Sequence, residues 1–394
     1  MLIKINSVLN LVKPVTYISI IAFKICKYTG SKKIHKKCYM NIFIIGLGKV
    51  GASFLKKIFQ QKNFLQETLK LYIRIIGLAN SRHMHFNEFG IEFNEWEKKL
   101  SESEIMNVEK FLEKIEKLDL CNSFIVDNTA SEEIAMTYEK ILKKGIGIIT
   151  CNKIACSYTY EYYKKLKTVS TNLGVPFFFE TNVGAGLPII DTLNSLINSG
   201  DDIHSIEAVL SGSLNFILNK FYEGTHFYES VKEAQKLGFT EPDPRIDLSG
   251  KDVMRKILIL ARECGEKLEL EDIFKKSFIP EFCLKSPSIE VFYERLVDLE
   301  SSFLEKIRIS TKKNNKRLRF VARYKKGIAS VGLETINLGH PFYQLDGKDN
   351  IISFNTSQYL DHPLTIKGAG AGSEVTASGI FSDVIKASSR SWKK

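Results

Sequence analysis

The sequence predicts an α/β fold in two domains. Three features of its pattern carry that expectation. β-Branched runs at 41–45, 71–78, 123–126 and 146–150 alternate with stretches of helical periodicity, the signature of a mostly parallel sheet covered by helices. The first run feeds Gly46, Gly48 and Gly51, a G-x-G-x-x-G, with a strand before it and a helix after it. Later in the chain, helical segments give way to strand-like runs at 317–324, 328–334 and 351–355, as in an α+β unit. The first half therefore reads as a Rossmann-like dinucleotide-binding domain. The chain's 394 residues leave room for both units.

Composition narrows the class. Hydrophobic residues make up 44 % and charged residues 26 %, ordinary for a soluble globular protein. The net charge of +11 would suit a nucleic-acid partner, but eight lysines and no acid lie in residues 1–40, which leaves +3 elsewhere. No nucleic-acid module is present, so none is expected as partner. Residues 15–25 are apolar but interrupted by Lys24 and too short to span a bilayer, so no membrane role is expected. The seven cysteines are scattered without a C-x-x-C. This pattern points away from zinc and disulfides and towards reduced thiols in a cytoplasmic setting.

Each element follows in order. In the 46–51 turn, Gly46 permits the tight bend, Gly48 lets backbone approach a pyrophosphate, and Gly51 allows close helix packing. Lys49 and Val50 complete the turn, and a helix at 52–59 presents its N-terminus to the anion. The second strand, 71–78, ends in Asn80-Ser81-Arg82. No acid stands there to hold a ribose 2′-hydroxyl, whereas Arg82 suits a 2′-phosphate. NADP is therefore expected, with NAD as the alternative. Residues 83–120 read as polar loops with a helix at 109–118. The third strand delivers Asn128 and Thr129 at its carboxyl end, where ligands bind in open α/β sheets. A helix at 131–144 and a strand at 146–150 follow, then Thr150-Cys151-Asn152-Lys153.

A strand at 175–180 enters a turn with two glycines and Pro188, and its Glu180 carboxylate and exposed carbonyls could form an all-oxygen pocket for a hard cation. From the residues alone it is only a tight turn. A strand at 203–210 leads to Ser211-Gly212-Ser213, with helices to 221 and from 228 to 237. A second glycine-rich turn, 368–372, ends in Gly372 and opens a helix to about 388. That turn is another anion or close-approach site.

The most informative stretch is 238–256, GFTEPDPRIDLSGKDVMRK. Pro242 and Pro244 read as excluding helix and central strand, which makes a stiff loop that aims carboxylates. Ser249 and Asp252 read as a capping box opening a helix, whose apolar stripe is Val253, Ile257, Leu260, Ala261 and Cys264. Asp252 and Lys256, four apart, share a face. The bland alternative is a capping acid, a surface ion pair and a solvated loop. Two prolines spacing the acids and a strongly apolar helix beside them weigh against it.

TEPDPR followed by DLSGKDVMRKILILAR resembles the signature of homoserine dehydrogenases, most similarly the dehydrogenase half of bifunctional aspartokinase–homoserine dehydrogenases. The resemblance covers roughly residues 41–390, with its motifs in the family's order. It implies NAD(P)H-dependent interconversion of aspartate semialdehyde and homoserine. It implies a discontinuous cofactor domain, 41–178 plus 362–394, and a substrate-binding and dimerisation domain, 179–361. Residues 1–40 are expected to be a remnant of the region linking such a dehydrogenase to a kinase, with a targeting segment as alternative. Lys256 is implied as proton donor, Asp252 as its partner, and Lys153 as a group between cofactor and substrate. Glu241 and Asp247 suit the substrate ammonium. The Glu180 side chain and the carbonyls of Val183, Ala185 and Leu187 are implied to hold a monovalent cation, sodium or potassium. A homodimer or tetramer is also implied. The chain departs from the family at Ile246, where many relatives carry a second acid, and at Cys151, where Ala or Pro is usual. Two other readings stay open: a catalytically degenerate scaffold partnering a separate aspartokinase chain, and a dehydrogenase of a different amino-acid semialdehyde.

Overall fold

The structure, a computed structural model, describes residues 39–389. Apart from residues 39 and 40, the expectations for the basic N-terminal segment fall outside the described residues.

The first sheet is built on β1 (Tyr39–Ile45). It pairs in parallel with β2 (Tyr72–Ala79) on one side and β5 (Ser123–Asp127) on the other. β3 (His83–Phe86) and β4 (Glu104–Ile105) extend the β2 edge antiparallel, and β6 (Gly147–Thr150) and β7 (Phe177–Phe178) extend the β5 edge in parallel. The order is β4-β3-β2-β1-β5-β6-β7, so the direction of winding reverses at β1. A strand covered on both faces reads as one apolar run rather than an alternation. Ile42 and Ile44 face the helices Lys49–Gln60 and Ser373–Ser389. Phe43 and Ile45 join Phe111, Tyr138 and Ile148 on the other face.

The second sheet has the order β13-β12-β8-β10-β11-β9. Its strands are β8 (Ile203–Val209), β9 (Phe274–Lys276), β10 (Arg317–Lys325), β11 (Ile328–Ile336), β12 (Asp349–Thr356) and β13 (Leu364–Ala369). Every pairing is antiparallel except β11 with β9. The helix Lys251–Glu263 buries Val253, Ile257, Leu260 and Ala261 in one core with Phe320 and Ala322 of β10. On the opposite face, buried Arg319 donates to the carbonyls of Phe342, Tyr343 and Leu345 at 2.9 to 3.0 Å. It thereby pins the 337–348 turn to the sheet.

Several sequence expectations give way to the fold. Residues 83–120 contain two short strands as well as loops, because the edge of the sheet supplies hydrogen-bond partners that local periodicity does not reveal. The 131–144 helix is two helices, Glu132–Met136 and Tyr138–Lys143, broken at Thr137, whose hydroxyl donates to the Ile134 carbonyl at 2.7 Å. The 175–180 strand shrinks to two residues before Glu180–Asn182 turns as a 3₁₀ helix. β13, assigned from sequence to the returning cofactor segment, pairs with β12 instead. The return begins with the helix Ser373–Ser389, which meets the helix Lys49–Gln60 through Ser53 Oγ to Glu374 at 2.9 Å and Lys57 Nζ to Ser378 at 2.7 Å. No described helix is long and apolar enough to cross a membrane.

Candidate active site

The glycine turn is shaped to receive a ligand. Gly46 has φ +91, and a Cβ there would lie 2.8 Å from Asn128 backbone and the Thr129 methyl. Gly51 packs against the Gly46 carbonyl so closely that a Cβ would fall 2.1 Å from it. A Cβ on Gly48 would meet nothing within 4 Å. The turn opens the helix Lys49–Gln60, whose cap has no side-chain hydrogen bond, so its first N–H groups face outward. Lys49 is exposed and Val50 half-buried on that first turn. Asn128 lies against Gly51 with both amide atoms buried and unpartnered. Such groups need a partner, and a dinucleotide with its amide and phosphate oxygens would supply one. Arg82 is exposed after β2, and Asn80 Oδ1 accepts from the N–H groups of Arg82 and His83, both at 2.8 Å, to form the turn that presents it. Gly372, φ +126, precedes the last helix, whose Glu374 reaches Ser53. These residues fit a nicotinamide dinucleotide.

The next turn carries Lys153, and a buried polar network fixes it. Asp127 accepts from the Tyr138 hydroxyl at 2.6 Å, the Asn152 amide at 3.1 Å and the Thr129 N–H at 2.8 Å. Burial pushes the Asp127 carboxyl up, and these three donors offset part of that push. Asn152 also donates to the Ser131 carbonyl at 2.9 Å. Its neighbour Cys151 is an inert thiol, pushed up to about 11 mainly by burial.

Across the cleft stands the helix Lys251–Glu263. Lys256 is 8 % exposed. Its ammonium donates to Asp252 Oδ2 at 2.8 Å and to the Leu210 carbonyl at 2.7 Å. An ammonium has three donors, so one N–H remains for a substrate. Lys153 Nζ lies 3.4 Å from the other Asp252 oxygen. One carboxylate therefore receives a lysine from each sheet's side of the cleft. The Asp252 side chain keeps 51 % exposure, through the mouth of the cleft, while protein walls surround it. Burial alone would raise its pKa, but Lys256 and then Lys153 outweigh that and hold it well below the usual carboxylate range.

The charged loop divides its labour. Asp247 accepts from the Glu241 N–H at 2.9 Å and the Ser213 hydroxyl at 2.8 Å. Burial raises its pKa, and those two donors partly offset the rise. The Glu241 carboxylate is exposed beside it. Asp243 serves structure: it caps a short helix, Pro244–Leu248, and grips Arg245 with both oxygens at 2.6 to 3.0 Å. The prolines therefore do not exclude helix here, because Pro244 occupies the first helical position, where no N–H is needed. The capping box is also absent: Gly250, φ +71, caps the long helix, while the Ser249 hydroxyl donates to the Ile246 carbonyl at 2.6 Å. Ser213 carries no sequence motif of its own. Its signal was the small-residue turn between a strand end and a helix.

Glu180 sits apart from these groups. Its carboxylate accepts from the N–H groups of Ile190 and Asp191 at 2.7 and 2.8 Å, capping the helix Ile189–Asn198. Gly184 (φ +76) and Ala185 (φ +54) reverse the chain between Val183 and Leu187. The Leu187 carbonyl accepts from the Ile189 N–H at 2.8 Å. Glu180 and the Leu187 carbonyl thus stand on one turn, each already accepting from backbone N–H groups of the helix start. Burial pushes Glu180 up to about 7, although the Ile190 N–H and Lys386 oppose it; a cation would act in the same direction as Lys386. A cavity of about 720 Å³ between Phe278, Ile307, Leu318 and Leu333 is lined by none of the residues above.

A family described as "Homoserine dehydrogenase, NAD binding domain" matches residues 46–180, and one described as "Homoserine dehydrogenase" matches 188–385. The chain belongs to the homoserine dehydrogenase family. It is 37 % identical over 358 residues to the homoserine dehydrogenase of Schizosaccharomyces pombe, covering 88 % of this chain and 95 % of that one. It is 41 % identical to the chloroplastic bifunctional aspartokinase/homoserine dehydrogenase 1 of Zea mays, across 90 % of this chain and 39 % of that relative's length. A hyperthermophilic archaeal homoserine dehydrogenase solved in complex with NADPH superposes with a TM-score of 0.67 at 26 % identity, over 89 % of this chain and 98 % of that one.

The depressed Asp252 carboxyl sets a sign for pH dependence. A group whose pKa is lower folded than unfolded stabilises the fold above its unfolded value, near 3.8, and loses that contribution as pH falls. Asp252→Asn should therefore be less stable than the parent between about pH 5 and 7, with the gap beginning to narrow only below about pH 4 and persisting in part at about pH 3. Urea melts across that range would check it, and a pH-independent gap would refute the ion pairing.

Proposed function

We propose that this chain interconverts L-aspartate 4-semialdehyde and L-homoserine with NADP(H). The observation that carries the reading is one carboxylate, Asp252, shared by two lysines beside the Glu241–Asp247 carboxylates. The substrate has an ammonium, a carboxylate and a reacting carbonyl. Glu241 and Asp247 suit the ammonium. The free N–H of Lys256 suits the oxygen on which charge builds in reduction. Lys256 would give its proton to that oxygen and take it back in oxidation. Asp252 holds Lys256 aimed, and Lys153 adds a second positive charge near the nicotinamide side. The cofactor supplies the hydride; Gly46, Gly48, Lys49, Val50, Gly51, Arg82, Asn128, Thr129, Lys153 and Gly372 would hold it.

Residues 41–178 with the last helix would form the cofactor half, and the intervening residues the substrate half. A sodium or potassium ion on Glu180 and the carbonyls of Val183, Ala185 and Leu187 would order that turn without entering the chemistry. A homodimer in the cytoplasm completes the reading.

The test is a homoserine oxidation assay at alkaline pH. Lys256→Ala should lose kcat by ~10²–10⁴-fold with cofactor affinity nearly unchanged. Glu241→Ala should mainly raise KM for homoserine. A folded Lys256→Ala variant turning over normally would reject the mechanism and leave only a helix ion pair of about 0.3–0.5 kcal/mol.

Cofactor choice rests on Arg82. NADPH should exceed NADH in kcat/KM, and Arg82→Ala should erode that ratio about 10–100-fold, the scale of one or two charged hydrogen bonds. Equal use of both cofactors by the parent would refute the assignment. Light scattering at micromolar concentration should give twice the chain mass or a multiple of it; a monomer would contradict the dimer.

A further inference from the structure

The segment that carries Lys153 has little local support. The helix after it, Ile154–Ser157, is one turn long, and a single turn is not self-sustaining in water. Asn152 secures its start, with Oδ1 accepting from the Ile154 N–H at 3.0 Å. Its far end leaves carbonyls without helical partners. Those carbonyls meet Arg262, whose Nη1 donates to the Cys156 carbonyl at 2.9 Å and Nη2 to the Tyr158 carbonyl at 2.8 Å. Nε and Nη2 also donate to the Leu268 carbonyl at 3.0 and 2.8 Å, and Nη2 pairs with Glu269 at 2.9 Å.

Glu269 completes the joint. Its two oxygens accept from the Tyr160 N–H at 2.9 and 3.0 Å, at the first residue of the next helix, Tyr160–Leu173. The guanidinium thus takes orphan carbonyls where one helix ends, and the carboxylate takes an orphan N–H where the next begins. Arg262 is 3 % exposed and lies within 6 Å of the rings of Tyr160 and Tyr163. A lysine could not reproduce this planar fork.

Arg262 stands on the same helix as Asp252 and Lys256, about 9 Å beyond Lys256 at 1.5 Å per residue. One rigid rod therefore holds the carboxylate that Lys153 meets and the guanidinium that anchors the segment following Lys153. We propose that the Arg262–Glu269 pair is a positioning device that sets Lys153 against Asp252, and so acts on the hydride-transfer step rather than on homoserine binding. The inference rests on the roles proposed above for Lys153 and Asp252. Neither Arg262 nor Glu269 belongs to the Lys153–Asp252–Lys256 cluster, so their influence passes through Lys153.

The experiment is a double-mutant cycle on the full chain, with folding monitored by circular dichroism. Arg262→Lys should lower kcat by ~10–100-fold, the scale of a misplacement near 1 Å, with KM for homoserine within about twofold of the parent. In a Lys153→Ala background the same change should cost nothing further, because the group it positions is gone. Glu269→Gln, at a partly exposed site, should repeat the pattern more weakly, and carries the cycle if Arg262→Lys does not fold. Multiplying losses in the double variant, or a raised KM for homoserine with kcat intact, would overturn the positioning role. Normal turnover by Lys153→Ala alone would overturn the catalytic reading of Lys153 and the positioning role with it.

Discussion

The site depends on one carboxylate holding two lysines together. Lys153 and Lys256 approach from opposite sides of the cleft, and like charges so placed repel. Asp252 between them converts repulsion into two attractions, at 2.8 and 3.4 Å. Lys256 is nearly buried, and a buried ammonium is tolerated only when paired and hydrogen-bonded. Asp252 supplies the charge and the Leu210 carbonyl the second acceptor. The surplus of positive charge is the chemical content of the arrangement: two ammonium groups and one carboxylate leave a net cation where an alkoxide would form.

That geometry is assembled from the ends of elements, because backbone groups there lack internal partners and must find others. Lys153 follows β6 in a turn whose N–H groups are taken by side-chain oxygens of Thr150 and Asn152. Asn152 is in turn tied to Asp127 at the end of β5. Asn128, next to Asp127, faces the glycine turn after β1. Three neighbouring strands thus deliver their carboxyl ends to one line, from the dinucleotide turn to the lysine. The reversal of winding at β1 opens the crevice beside it.

Much of this was legible in the sequence, and the failures are instructive. The glycine turn and the Asp252–Lys256 pair were readable because each depends on residues close in the chain. Pro244 was misread because the rule that proline breaks helices inverts at the first helical position. The capping box failed because Gly250, with φ +71, took over the cap. The strand at 175–180 was overextended because its apolar run continues into a turn that buries Phe179 and Glu180 for tertiary reasons. Ser213 was passed over because the small-residue turn that carries it names no partner; only the fold brings it within 2.8 Å of Asp247, 34 positions later. The meeting of Lys153 with Asp252 likewise spans about a hundred residues and belongs to packing rather than pattern.

The Glu180 turn gathers buried charge in the same way. Around the Glu180 turn, Asp383 is fully buried and accepts from the Glu180 N–H at 3.2 Å. Lys386 bonds Asp191, lies 3.3 Å from Asp383 and 3.9 Å from Glu180. Three carboxylates thus gather on one ammonium. Burial pushes Asp383 well above the usual carboxylate range and Glu180 to about 7, and one lysine does not restore either. Protonation of one acid would settle the balance, and so would a bound monovalent cation. The cap N–H groups of Ile190 and Asp191 stabilise Glu180 as an anion against that burial. A cation held there would join the last helix to the turn leading into the substrate half, and so make the returning segment part of the cofactor site's rigidity.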